Sequence, residues 1–263
     1  MRALGLALAC SALPVWAQCG ILSWDAYKEV RHPLPYVLRL AAPPGELLMF
    51  GAQHTRDPHH AELSEIERLW REFRPQIAFS EGGIRPAASR RDESVVRYGE
   101  PGLVRFLADL DHVTLAGLEP PEGEEAAWLT GQFQPRQVKL FYVLRYLSPG
   151  TPADEERRRV LELVHKRHRL TGPPNSPREL DALAAELLPE LKDSRSIPAS
   201  WFDPTRSDTF LNHIAQRSSD YRNCHMVPLV VQAVRSGKRV FVVVGGSHVV
   251  MQEPALRSAL STP

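Results

Sequence analysis

RVFVVVGGSHVV, residues 239–250, decides the fold. Residues 240–244 are apolar at every position, so the segment has no polar face to turn to water. A half-exposed strand alternates with period two; one apolar on both faces lies between two covering layers. The segment therefore reads as the central strand of a sheet covered by helices. The chain on either side fits this frame. Upstream, a long helix is expected from about 207 to 235, with Pro228 as a kink and Ser236-Gly237 as its close. Earlier, residues 36–40 and 47–50 are short apolar runs split by Pro43-Pro44-Gly45, two strands with a turn. Asp57-Pro58 reads as N-cap and first residue of a helix carrying Leu63, Ile66, Leu69, Trp70 and Phe73 at helical spacing, ended by Pro75. A strand at 76–79, a helix around Leu103, Phe106, Leu107 and Leu110, and a strand at 113–118 follow. Strands separated by helices imply an α/β fold with a central, mostly parallel sheet flanked by helices.

The middle of the chain, about 120–205, shows only helical periodicity. Val138, Leu140, Val143, Leu144 and Leu147 give one apolar face, and Val160, Leu161, Leu163 and Val164 another. It reads as a helical insert within a single domain. Its basic run at 157–169 reads as a solvated helix face. The chain has 263 residues, 43% hydrophobic and 24% charged, with a formal net charge of +1. That charge gives no field for nucleic acid or an acidic membrane, so the expected partner is a small molecule or a peptide. Residues 1–17 combine Arg2, an apolar stretch and Val15-Trp16-Ala17, which reads as a secretory signal peptide; the mature protein, from residue 18, is then periplasmic or secreted, with no further membrane span. Lipid anchoring at Cys19 is the alternative. Cys19 and Cys224 survive signal removal and can pair if they meet in space.

In a sheet of this kind ligands bind beyond the carboxyl ends of the strands. Strand 47–50 ends in Gly51-Ala52-Gln53-His54, and strand 76–79 in Ser80-Glu81-Gly82-Gly83. Strand 113–118 ends in Glu119-Pro120, and strand 240–244 in Gly245-Gly246-Ser247-His248. Parallel neighbours would bring His54, Glu81, Glu119 and His248 to one edge. Imidazole and carboxylate together either ligate a divalent metal or form an acid/base pair. His59 and His60 are further pocket candidates, or polar residues of a helix start. The sequence has no G-x-S-x-G elbow, P-loop or C-x-x-C element.

The two Gly-x-x-His elements, with Glu81 between them, Leu118-Glu119, and Arg222-Asn223 followed by Met226, resemble the TraB/GumN/Tiki family, within the erythromycin-esterase and ChaN-like superfamily. The likeness covers about 45–120 and 205–260. It implies a sheet flanked by helices with one His/Glu pocket. Tiki-like members carry out metal-dependent proteolysis with manganese or cobalt, erythromycin-esterase-like members hydrolyse esters, and ChaN-like members bind haem. Those groups usually have Thr or Glu where this chain has Ala52, and the ChaN-like group has Asp where it has Thr55.

The expectation is therefore a metal-dependent hydrolase of peptide or ester bonds. His54, Glu81 and His248 would hold manganese, cobalt or zinc, whose bound water attacks the carbonyl. Glu81 and Glu119 would serve catalysis, Glu119 as a further ligand or general base. Arg222 would stabilise an oxyanion, hold a substrate carboxylate, or order the site through a salt bridge, while Asn223 orients a neighbour. A metal-free variant would use His54 as base with Glu81 polarising it. The alternative function is a non-enzymatic haem or metal carrier with His54, His59 or His60 as axial ligand.

Overall fold

A computed structural model describes residues 19–147, 153–191 and 197–261. The expected signal peptide, residues 1–17, lies outside the described residues. Five strands form one sheet in the order β1-β2-β5-β3-β4: β1 (Tyr36–Ala42), β2 (Gly45–Ala52), β3 (Ile77–Ser80), β4 (Thr114–Gly117) and β5 (Arg239–Gly245). β1 pairs antiparallel with β2 as a hairpin, and every other pairing is parallel. The expected α/β sheet flanked by helices is therefore present, with β5 at its centre. The register aligns Ala52 with Gly245 and Ser80 with Val243, so the carboxyl ends of β2, β3 and β5 emerge side by side.

Both faces of β5 are covered, as its unbroken apolarity requires. Val240, Val242 and Val244 face a core shared with Met226, Val230 and Val234 of α8 (Phe210–Arg235) and with α9 (Gly246–Ser261). Phe241 and Val243 face the opposite core, built with α2 (Ala61–Phe73) and α3 (Arg91–Leu110). There the Trp70 ring meets Phe241 edge-on with centroids 5.3 Å apart. The insert has a third core of its own: α4 (Glu124–Thr130), α5 (Pro135–Tyr146), α6 (Asp154–His168) and α7 (Pro177–Leu187), closed by the first half of α8 through Leu211 and Ile214. α8 thus spans both units, and it runs through Pro228 without interruption. A short helix, α1 (Trp24–Glu29), packs near the start of the described chain. Cys19 and Cys224 form a disulfide that ties this start to α8.

Two expectations are corrected. Asp57 does not cap α2. Its carboxylate accepts from the His59 backbone N–H at 3.0 Å in a local turn, and His60, in extended conformation, is the N-cap of a helix beginning at Ala61. His248 stands at the expected end of β5; α9 starts at Gly246 directly after that strand, so His248 sits in its first turn. The basic run of α6 is not wholly solvated. Arg157 is buried against Asp154 and Asp181, and His168 is buried with its ring stacked 3.6 Å from that of Tyr142. Among the described residues no helix is long and apolar enough to cross a membrane.

Candidate functional site

Parallel pairing of β2, β5, β3 and β4 brings the four strand-end residues to one edge, and Arg222 reaches them from α8. The Glu81 carboxylate receives the Gly245 backbone N–H on Oε2 at 2.9 Å and Arg222 Nη2 on Oε1 at 3.0 Å. His248 Nε2 lies 3.5 Å from the same Oε1. Glu119 Oε1 receives the same Arg222 nitrogen at 2.8 Å and the Gly82 N–H at 2.7 Å. Burial alone would raise both carboxyls. The charges of His248 and Arg222 and the Gly245 N–H instead hold Glu81 well below the usual range. Arg222 and the Gly82 N–H likewise lower Glu119. Arg222 is buried too, and the neighbouring carboxylates, Glu81 before Glu119, raise its pKa against that burial. Of the roles open to Arg222, the salt bridge that orders the site is the one formed.

His248 is oriented from behind. Asn223 Oδ1 accepts from Gln252 Nε2 at 2.7 Å, so it also acts as acceptor toward His248 Nδ1, 2.7 Å away. His248 Nδ1 therefore donates to Asn223, and Nε2 faces Glu81. Asn223 does orient a neighbour.

His54 belongs to a second part of the site. Its backbone has φ 68°, a left-handed conformation uncommon outside glycine. Buried glutamates hold that conformation from both sides. Glu62 accepts the Gln53 N–H on both oxygens, at 3.1 and 3.0 Å, and Glu100 accepts the Thr55 N–H. Glu100 also lies 3.8 Å from His54 Nδ1, within ion-pair reach. A break in α3 makes this possible. Gly99 has φ 64°, and a Cβ there would stand 2.8 Å from the Thr55 carbonyl oxygen, so only glycine lets the kink approach the loop. Burial pushes the Glu62 carboxyl up, whereas His54 and the Thr55 N–H hold Glu100 down. The attraction of Glu100, followed by that of Glu81, raises His54 despite partial desolvation. The exposed imidazole reaches over the end of β5: a Cβ on Gly245 would lie 2.7 Å from His54 Nε2 and 3.5 Å from Glu81 Oε2.

Two cavities meet at Glu81, Gly82 and Arg85. One, of about 250 Å³, contains His54, Tyr98 and Glu100; the other, of about 170 Å³, contains Glu119, Arg222 and residues of the insert. His59 and His60 line neither. Arg85 lines both; its guanidinium lies against Gly82, 5.8 Å from the Tyr98 ring centroid, and its buried Nε has no partner among the described residues. Sequence reading missed Glu100 and Arg85. Glu100 follows a glycine and precedes a proline inside a helical stretch, and that local kink signal was the available clue.

The expected metal ligands His54, Glu81 and His248 each have protein partners in this structure. Among the described residues no three His, Cys, Asp or Glu side chains converge as ligands. Arg222 stands between Glu81 and Glu119, where a cation would have to compete with its guanidinium. The His54 cavity is walled by Arg56, Glu81, Arg85 and Glu100, a charged lining rather than the apolar slot that haem takes. The fold and site define an α/β protein with a His/Glu/Arg cluster at the carboxyl edge of a mixed sheet. No protein-family model, curated protein or solved structure matches the chain.

Proposed function

We propose that this cleft hydrolyses an ester or peptide bond by general acid–base chemistry, with His54 as the base. One observation carries the reading: an accessible imidazole is backed by a buried carboxylate, Glu100, and opens onto a cavity shared with Glu81 and the unpartnered Arg85. In that geometry His54 Nε2 takes a proton from water as the water oxygen bonds to the carbonyl carbon. The negative charges of Glu100 and Glu81 stabilise the imidazolium that forms. Arg85 donates to the carbonyl oxygen as it becomes an oxyanion. When the intermediate collapses, the bond to the leaving group breaks and the imidazolium returns its proton to the departing oxygen or nitrogen. Glu81, Glu119 and Arg222 form the ionic floor beneath this chemistry, and Asn223 and Gln252 hold His248 against it.

The order of Gly-x-x-His, Glu81 and Arg222-Asn223 along the chain, which resembles the TraB/GumN/Tiki family, supports the same class of reaction. The test is a screen of nitrophenyl esters and short peptides with the wild type and His54→Ala. The expected loss in the variant is about 10²-fold or more in kcat/KM. Equal rates for the two proteins would remove His54 from the mechanism.

A further inference from the structure

The wall that the insert presents to this cleft carries two arginines that have no ion-pair partner among the described residues. The cavity of about 170 Å³ beside Glu81 is lined on that side by Arg145 of α5 and Arg167 of α6, together with Tyr142, Tyr146 and His168. Three carboxylates also line it, and each is already engaged. Glu81 and Glu119 hold Arg222. Glu125 accepts the Tyr142 hydroxyl and the Ser218 hydroxyl, each at 2.6 Å. Neither Arg145 nor Arg167 has a hydrogen bond or ion pair to a described residue; Arg145 lies only over the Phe141 ring, 5.6 Å from its centroid. His168 adds no charge at neutral pH, since burial and these two guanidinium groups push it down to about 4.

Resting on the hydrolase reading, we propose that Arg145 and Arg167 bind an oxyanion group of the substrate, a carboxylate or a phosphate, a few atoms from the bond that is cleaved. Paired arginines present planar forks of N–H donors that match the two oxygens of such a group. The cavity is too small for a macromolecular surface and large enough for one such group with its linker. Its floor is the ionic cluster, and it opens through Glu81 and Arg85 to His54, so a group seated between the two arginines directs the rest of the molecule toward the base. The hydroxyls of Tyr142 and Ser218 both donate to Glu125 Oε1 and hold that side chain in place. Without the insert the site would have its chemistry but no means of choosing an anionic substrate.

The test separates this from the hydrolase reading by measuring binding alone. Full-length mature protein is titrated calorimetrically with glutarate, with inorganic phosphate and with neutral glutaramide. Glutarate or phosphate should bind, and glutaramide should not. The stronger of the two anions gives the substrate's headgroup. Arg145→Gln and Arg167→Gln should each weaken that binding about tenfold or more, as expected when a charged donor is lost from an oxyanion. Far-UV circular dichroism should be unchanged, because Arg145 is exposed and Arg167 half-buried. In parallel, kcat/KM is compared for nitrophenyl acetate and for the monoanionic nitrophenyl glutarate. The variants should lose the preference for the anionic ester and keep the rate on the neutral one. Anion binding that depends on the two arginines, without hydrolysis of any ester, would uphold the pocket and remove the hydrolase. Hydrolysis that ignores substrate charge, with no anion bound, would do the reverse. Anion binding unchanged in both variants would place it elsewhere and overturn the proposal.

Discussion

At the scale of the residue, the site turns on how Glu100 acts through His54. Glu100 is the first cause of the raised His54 ionisation. Glu100→Gln removes that attraction, so His54 should lose its proton at lower pH. A base works in its neutral form, so the acidic limb of the rate profile should move to lower pH by the same amount. A histidine NMR titration reads the shift without any substrate, and an unmoved His54 would mean that Glu100 only pins the loop. Arg222 makes a different prediction. It is buried between two partly buried carboxylates, so Arg222→Gln removes the cation they share and should cost about 3 kcal/mol in chemical unfolding. A loss under 1 kcal/mol would mean that water screens the cluster. Glu81 and Glu119 are depressed in the folded state, so the stability they contribute is present above their unfolded pKa of about 4.3 and is lost as pH falls through their lower folded values.

At the scale of the element, position follows from how strands end. Gly245 closes β5 where the His54 ring crosses it. Gly245→Ala places a methyl group 2.7 Å from His54 Nε2, and the exposed imidazole, not the sheet, must give way. The melting temperature should change little while activity falls, as paired calorimetry and rate measurements would show; a large drop in melting temperature would mean that the ring cannot move. This is also where the sequence was most and least readable. The Gly-x-x-His pair marked the edge at which Glu81, Glu119 and His248 meet, because glycine and histidine after an apolar run are local signals. Glu81 and Glu119 followed from the same logic of strand ends. Glu100 did not, because its role depends on a kink in α3 that folds it back onto a loop 45 residues earlier. Arg145 and Arg167 were hidden for a related reason: helical periodicity in the insert gives each helix a face but not the neighbour it meets. His248 kept its predicted place at the edge even though its element is a helix.

At the scale of the whole molecule, α8 joins the parts. Its first half closes the insert core, its second half covers the sheet, and between them stand Arg222 and Asn223. The Cys19–Cys224 disulfide fastens the start of the described chain to that junction. Reduction, or Cys224→Ser, should lower stability by about 2–5 kcal/mol, and unfolding with and without reductant measures it; no change would show that packing alone holds the segment. Catalysis without a resident metal, led by His54, is the central claim for this architecture. It is tested most directly by kcat/KM on an activated ester after exhaustive chelation, for the wild type and His54→Ala. Wild-type activity should persist unchanged in chelator and fall about 10²-fold or more in the variant. Activity abolished by chelation and restored by manganese, cobalt or zinc would contradict it.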